Sequence, residues 1–221
     1  MAIKRKIKGL EVSVVLPSYN ERENIGEAIK RVSSSLRKDL LEIIVVDDNS
    51  PDGTWKIVRD MKNPKYRVIR RINERGLASA LAFGVEKAKG NVVVWMDCDL
   101  GVPPEVIPLL VEKLDKYDVV IASRYVKGGK DLRPRIRAFF SVLVNLFAGL
   151  LLGPEVRDYT SGVIAVKSRV LNKIKLSKDG FGEYFIEFVH SCVKNNFKVT
   201  EVGYHYRNRK GGVSKSDGSV L

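Results

Sequence analysis

The chain has 221 residues, of which 44% are hydrophobic and 29% charged. This length predicts one α/β domain over residues 1–221, and the composition excludes a long disordered tract. The 39 Lys and Arg outnumber the 26 Asp and Glu, so the formal net charge is +13 and anionic partners are expected. The two cysteines, Cys98 and Cys192, lack metal-ligand spacing, which indicates free thiols in a reducing cytosol.

Strand and helix patterns alternate through the first half of the chain. Strands are predicted at 12–16, 42–46, 66–70, 92–96 and 119–123, and helices at 22–36, 54–61, 77–88 and 105–116. Strands that consist of continuous Val and Ile, such as 92–94, are typical of strands buried on both faces. We therefore predict a doubly wound, mostly parallel sheet with helices on both faces.

The pattern changes in the second half. One or two helices are predicted at 133–152, a strand at 163–166, a helix at 181–194 and a last strand at 198–204. Residues 207–221 are rich in Gly, Ser and basic residues, and we expect a flexible basic C-terminal loop.

The longest apolar run covers residues 138–152. Its length of about 15 residues falls short of the roughly 20 that span a bilayer, so it is either a buried core helix or an amphipathic helix in the membrane interface. Arg133, Arg135 and Arg137 precede it, at the position where headgroup phosphates would meet an interfacial helix. The second interpretation predicts peripheral docking on a membrane surface.

Two carboxylates follow the fourth predicted strand. Asp97 and Asp99 are separated by one residue, so on an extended chain their side chains point the same way. Oxygen ligands at the carboxyl end of a strand suit Mg²⁺ or Mn²⁺ bound to a diphosphate. A solvated Asp-rich turn would give the same triplet, so its position after a buried strand carries the prediction.

Two further polar loops follow the first and second strands, at 17–21 and 47–53. The second, with three acidic residues among turn formers, could be no more than a solvated turn. In a doubly wound sheet, however, both loops share one edge with Asp97 and Asp99, so their polar groups are expected to converge.

Five segments in this order resemble family 2 glycosyltransferases: 15–21, 45–52, 73–77, 96–100 and 123–125. The resemblance spans about residues 11 to 216 and implies a GT-A fold. It also implies inverting transfer of mannose from GDP-mannose to dolichyl (polyprenyl) phosphate. The enzyme would be cytoplasmic and peripheral on the cytosolic face of the membrane.

The resemblance implies roles for individual residues. The nucleotide-sugar site would contain Pro17, Tyr19, Glu21, Asp48, Asp97, Asp99, Arg124 and Arg209. Asp97 and Asp99 would hold the metal, and Arg137, Ser141 and Arg124 would bind the acceptor phosphate. The catalytic residues would be Asp99, Arg124 and Arg209. Two simpler interpretations stay open, because Arg137 could merely snorkel from an apolar helix and Arg209 could be one charge in a basic tail.

One departure from the family pattern follows the acidic triplet. Gly101 and Val102 stand where the family often has Gln and His, which leaves the identity of the sugar open. A UDP-glucose-dependent or other polyprenyl-phosphate glycosyltransferase is therefore the nearest alternative, and a non-catalytic nucleotide-sugar-binding module is a remote one.

The chemistry is consistent with a phosphate acceptor. A divalent ion neutralises charge on a departing nucleoside diphosphate. A phosphate monoester, with a second pKa of about 6, is already an anionic nucleophile at neutral pH, so it needs no general base. No nucleic-acid partner is expected, since the chain lacks a reader motif and its acidic loops would repel a backbone. The turn after the first strand also lacks the glycines of a dinucleotide-binding oxidoreductase.

Overall fold

The computed structural model of the chain describes residues 9–180 and 182–206. The strands are Val12–Ser18 (β1), Leu40–Asp47 (β2), Tyr66–Arg70 (β3), Val92–Trp95 (β4), Val119–Ser123 (β5), Lys130–Asp131 (β6), Ile164–Lys167 (β7), Val199–Gly203 (β8) and His205–Tyr206 (β9). The helices are Ile25–Leu36 (α1), Thr54–Asp60 (α2), Leu77–Glu86 (α3), Ile107–Lys113 (α4), Arg135–Leu152 (α5), Ser168–Lys173 (α6) and Glu183–Lys194 (α7).

Seven strands form the central sheet, in the order β3-β2-β1-β4-β7-β5-β8. All neighbouring pairs are parallel except the two that involve β7, which runs antiparallel between β4 and β5. Six strands therefore end at one edge, and the loop that leads into β7 starts at that same edge. The short parallel pair of β6 and β9 lies after β5 and β8.

The sheet separates two apolar cores. Side chains alternate between faces along a strand, so Val14 of β1 belongs to one cluster and Val15 to the other. Helices α1, α2 and α4 contribute to the first core, and α3, α6 and α7 contribute to the second. The predicted doubly wound, mostly parallel sheet with helices on both faces is confirmed.

Most element boundaries agree with the sequence predictions to within a few residues. The first helix begins at Ile25 instead of residue 22, because the Glu21 carbonyl accepts the Asn24 and Ile25 N–H groups in a preceding turn. The predicted helix at 105–116 is a 3-10 turn, Pro104–Val106, followed by the shorter α4. Three short elements, β6, α6 and β9, lack a sequence pattern that would have predicted them.

Helix α5 is a single helix that projects its apolar side chains outward. Only Asn145 and Ala148 of its 18 residues are buried. Its exposed large apolar side chains are Ile136, Phe139, Phe140, Val142, Leu143, Val144, Leu146, Phe147, Leu150 and Leu151. The interpretation of this segment as a buried core helix is therefore wrong. Its amphipathicity is reversed from that of an ordinary surface helix, since the polar Ser141 and Asn145 face the domain.

Candidate active site

The three loops predicted to converge are joined by hydrogen bonds at the carboxyl edge of the sheet. The Asp48 N–H donates to the Ser18 carbonyl at 3.0 Å and links the loops after β1 and β2. The Cys98 thiol donates to the carbonyl of the buried Pro17 at 3.1 Å and links the loop after β1 to the acidic triplet. The parallel strand order thus brings distant segments into one site.

The acidic pair lies in a tight loop after β4. Asp99 is 3% exposed, and its Oδ1 accepts the Gly101 N–H at 2.9 Å, whereas Asp97 is partly exposed. Leu100 lies between Asp99 and Gly101, and its φ of 59° turns the chain sharply. Burial, and to a smaller extent the negative charge of Asp97, raise the pKa of the Tyr184 phenol on α7 above its usual value.

The donor set of this loop suits a hard divalent ion. Two carboxylates supply oxygen ligands of the kind that Mg²⁺ and Mn²⁺ prefer. Within the described residues, no group of three or more His, Cys, Asp or Glu side chains is placed to hold a metal. An ion here would therefore complete its coordination with water and substrate phosphate, as Mg²⁺ commonly does in nucleotide sites.

The two neighbouring aspartates at the end of β2, Asp47 and Asp48, have different partners. Asp47 is fully buried and accepts hydrogen bonds from the Ser18 and Ser50 hydroxyls, so it holds two loops together. Asp48 instead faces Arg71, whose Nε lies 2.7 Å from Asp48 Oδ1, and it also accepts the Gly76 N–H at 2.8 Å. Arg71 was not predicted as a site residue, although its position as a basic residue directly after the third strand was a usable signal.

The loop after β3 also reaches Tyr19. The Arg75 guanidinium lies 3.8 Å from the centre of the Tyr19 ring, which is a close cation–π contact. Glu21, nearer to α1, accepts a hydrogen bond from the Asn24 amide at 2.9 Å and donates its N–H to Thr54 Oγ1. Tyr19 and Asp48 therefore share contacts with one loop, 71–76, while Glu21 braces the start of α1.

Arg124, directly after β5, is engaged by a buried carboxylate. It is 5% exposed, and its Nε and Nη2 donate to the two oxygens of Asp158 at 2.9 and 2.6 Å. Burial alone would lower the pKa of the Arg124 guanidinium, but Asp158 outweighs burial and holds that pKa above its usual value. Asp158 reaches this edge because it lies in the loop that leads into the antiparallel β7.

A polar seam connects this ion pair to α5. Thr160 Oγ1 accepts hydrogen bonds from Arg124 at 2.7 Å and from the Asn145 amide at 2.8 Å, and it lies 3.4 Å from the Ser141 hydroxyl. Asn145 Oδ1 accepts the N–H of the buried Tyr159 at 2.6 Å. Thr160 and Asn145 were not predicted as site residues, although an Asn within an apolar run was a usable signal.

The seam brings Ser141 to the same cluster as Arg124, as the acceptor-site prediction requires. Arg137 lies exposed in the first turn of α5. Arg209, the remaining predicted residue, and the predicted basic loop at 207–221 lie outside the described residues. The functional roles assigned to these side chains stay predictions.

A mostly parallel sheet with an acidic pair at its carboxyl edge and one antiparallel strand defines the GT-A class of glycosyltransferase. In agreement, the fold superposes on crystal structures of glucosyl-3-phosphoglycerate synthase from Mycobacterium tuberculosis. The complex with Mn²⁺, UDP and glucosyl-3-phosphoglycerate gives a TM-score of 0.73 at 22% identity, covering 93% of this chain and 74% of that chain. This likeness is one of fold.

Residues 13–175 match Glycosyl transferase family 2, and the chain belongs to this family. It is 40% identical to a dolichol-phosphate mannosyltransferase of Saccharomyces cerevisiae, over 96% of this chain and 83% of the relative. It is 36% identical to a polyprenol monophosphomannose synthase of Mycolicibacterium smegmatis, over 94% and 82%. A dolichol-phosphate mannosyltransferase of Pyrococcus furiosus is also 40% identical, and the chain spans 61% of the length of that relative. The predicted family is confirmed.

Proposed function

We propose that the protein transfers mannose, with inversion, from GDP-mannose to a polyprenyl phosphate such as dolichyl phosphate, with Mg²⁺ or Mn²⁺ as cofactor. The observation that carries this proposal is the position of α5. An exposed apolar helix is linked to Arg124 through Thr160, which accepts hydrogen bonds from both Asn145 of the helix and Arg124, at the same sheet edge that holds the acidic pair. A water-soluble acceptor would not require such a surface, whereas an acceptor with a phosphate head and an isoprenoid tail would.

The donor would lie along the loops after β1, β2 and β4. Asp97 and Asp99 would hold the divalent ion, which when bound supplies charge neutralisation for the departing nucleoside diphosphate. Asp99 is preorganised for this task by its burial and by the Gly101 N–H. Asp48, fixed by Arg71 and Gly76, would accept N–H groups of the base, with Pro17, Tyr19 and Glu21 alongside.

The acceptor would approach from the α5 side. A phosphate monoester is already anionic at neutral pH, so the protein must position it and need not deprotonate it. Arg137 and Ser141 on α5 would bind the phosphate head beside Arg124, since guanidinium groups grip phosphate oxygens in pairs. Arg209 is proposed to act on the donor phosphates.

Helix α5 would seat the protein on the membrane. Its 18-residue span has a mean hydropathy of 1.7, which satisfies the length and composition of a membrane-crossing helix. The helix is however held against the domain through Asn145 and Ala148, and lipid could reach only its outer faces. We therefore propose peripheral docking on the cytosolic face, with the arginines of residues 133–137 at headgroup level.

Product formation tests the proposed reaction. Protein, membranes and Mn²⁺ are incubated with radiolabelled GDP-mannose or UDP-glucose, and the lipid is extracted into organic solvent. We expect labelled lipid from GDP-mannose and its loss in Asp99→Ala, with Asp60→Ala at the opposite edge of the sheet as the matched control. Label from UDP-glucose alone would favour the nearest alternative, and no transfer from either donor would favour a binding module.

Flotation with anionic liposomes tests the docking surface. We expect the triple variant Phe139→Gln, Phe140→Gln and Leu143→Gln to reduce liposome binding by more than about tenfold per side chain. Burial of each apolar side chain in the membrane contributes roughly 1.5–3 kcal/mol to the free energy of binding. The control is Leu109→Gln, which replaces an exposed apolar side chain on α4. Unchanged flotation of the triple variant would contradict docking through α5.

A further inference from the structure

Tyr206 of β9 lies against the acidic loop, far from it in sequence. A β-carbon built on Gly101 would lie 2.9 Å from Tyr206 Oη, 3.0 Å from Tyr206 Cζ and 3.2 Å from Asp99 Oδ1. The phenol hydroxyl and the Asp99 carboxylate therefore border one small volume. A side chain at position 101 would therefore require the phenol to shift.

The requirement for glycine at position 101 is one of space. The residues with positive φ include Leu100 and several glycines, and Gly101 is not among them, so its backbone is open to other residues. Approach of the Tyr206 ring is what a side chain would prevent. Glycine at position 101 therefore allows the Tyr206 phenol to approach the acidic loop closely.

Other contacts hold the Tyr206 ring in place. The Tyr206 carbonyl accepts the Leu132 N–H at 3.0 Å, which extends the β6–β9 pairing. The Arg133 guanidinium lies 5.0 Å from the ring centre and that of Arg124 5.9 Å, while Tyr204 packs edge-on at 6.2 Å. Tyr206 thus lies between Arg124, a predicted acceptor residue, on one side and the predicted metal loop on the other.

We propose that Tyr206 is a donor-binding residue whose hydroxyl donates a hydrogen bond to a diphosphate oxygen of the metal-bound nucleotide sugar. This inference rests on the proposed function. A phenol is suited to the position because it is a neutral donor, whereas a cationic side chain would compete with the divalent ion for Asp99. Because its ring also lies 5.9 Å from the Arg124 guanidinium, Tyr206 would help to set the spacing between the donor diphosphate and the acceptor phosphate.

Binding of GDP in the presence of Mn²⁺, measured by titration calorimetry, tests the inference without turnover. Tyr206→Phe keeps the ring and its contacts, and we expect GDP affinity to fall about tenfold or more, with an unchanged melting temperature. Gly101→Ala should weaken GDP binding to a similar extent, because the added methyl group would displace the Tyr206 phenol. In the double variant the second change should cost less than about threefold, since the hydrogen bond is already lost.

Tyr204→Phe is the matched control. Tyr204 lies two positions before Tyr206, and its buried hydroxyl has no hydrogen-bond partner in the described part of the chain. Removal of this hydroxyl should leave GDP affinity unchanged. GDP affinity of Tyr206→Phe within twofold of the unmodified protein, or an equal loss in Tyr204→Phe, would overturn the inference. The proposed function would survive either result, because it fails only if the unmodified protein makes no mannolipid.

Discussion

Replacing Asp158 with Asn would remove the negative charge that neutralises Arg124 while keeping the side chain's size. Asp158 is fully buried and Arg124 is 5% exposed, so solvent cannot stabilise the remaining cation. The Asn amide would also present an N–H group where Arg124 now meets an acceptor. We expect the change to destabilise the fold and to misplace Arg124.

The magnitude follows from the surroundings of the pair. Removing one partner of a buried ion pair costs about 3–5 kcal/mol. An oxygen of Asp131 lies 3.6 Å from Arg124 Nη1 and offsets part of the loss, so we expect about 3 kcal/mol. For a domain of this size each kcal/mol lowers the melting temperature by about 2–4 °C, which gives a fall of roughly 6–12 °C.

Urea denaturation and thermal melting of Asp158→Asn measure this effect directly. The control is Asp60→Asn, which removes the carboxylate of the Arg59–Asp60 pair, a 2.8 Å contact between two exposed side chains. This control should melt like the unmodified protein, because water screens exposed pairs. A melting temperature for Asp158→Asn equal to that of the control would refute the argument that buried charge compensation stabilises this edge.

Two further stability predictions concern buried polar groups. Asn145→Ala should lower the free energy of unfolding in urea by about 2 kcal/mol, because the buried Tyr159 N–H loses its acceptor. Ser141→Ala loses only a 3.4 Å contact and should cost much less. Equal losses in the two variants would contradict this prediction. Burial raises the pKa of Glu42, but hydrogen bonds led by that of Arg67 outweigh it and hold this pKa below its usual value. Glu42 therefore stabilises the fold above the usual pKa of a glutamate and loses this contribution as the pH falls through its lowered pKa. The stability of Glu42→Gln should depend less on pH in acid, and an unchanged acid limb would contradict this.

Much of the fold follows from local patterns. Runs rich in Val and Ile predicted β1, β2, β4 and β5, because strands buried on both faces require mostly apolar side chains. The pattern is weaker in β3, a partly exposed strand at the edge of the sheet. The boundary at Ile25 was missed because the turn before it depends on the Glu21 carbonyl, which no side-chain pattern reports. Helix α5 was predicted as a helix, but its burial was left open, since an apolar run suits a core and a membrane surface equally.

The acidic pair, the loops after β1 and β2 and the family could all be identified from residue order, because those segments end buried strands and carry their own polar groups. The partners of these groups required the assembled sheet. Arg71 meets Asp48, and Asp158 meets Arg124, across 23 and 34 residues of chain. Such pairings depend on strand order, and above all on the reversed direction of β7, which brings the 158–162 loop to the carboxyl edge. The physical reason is that side-chain periodicity encodes which face of a strand is buried, whereas the neighbour of a strand is selected by packing of the whole domain.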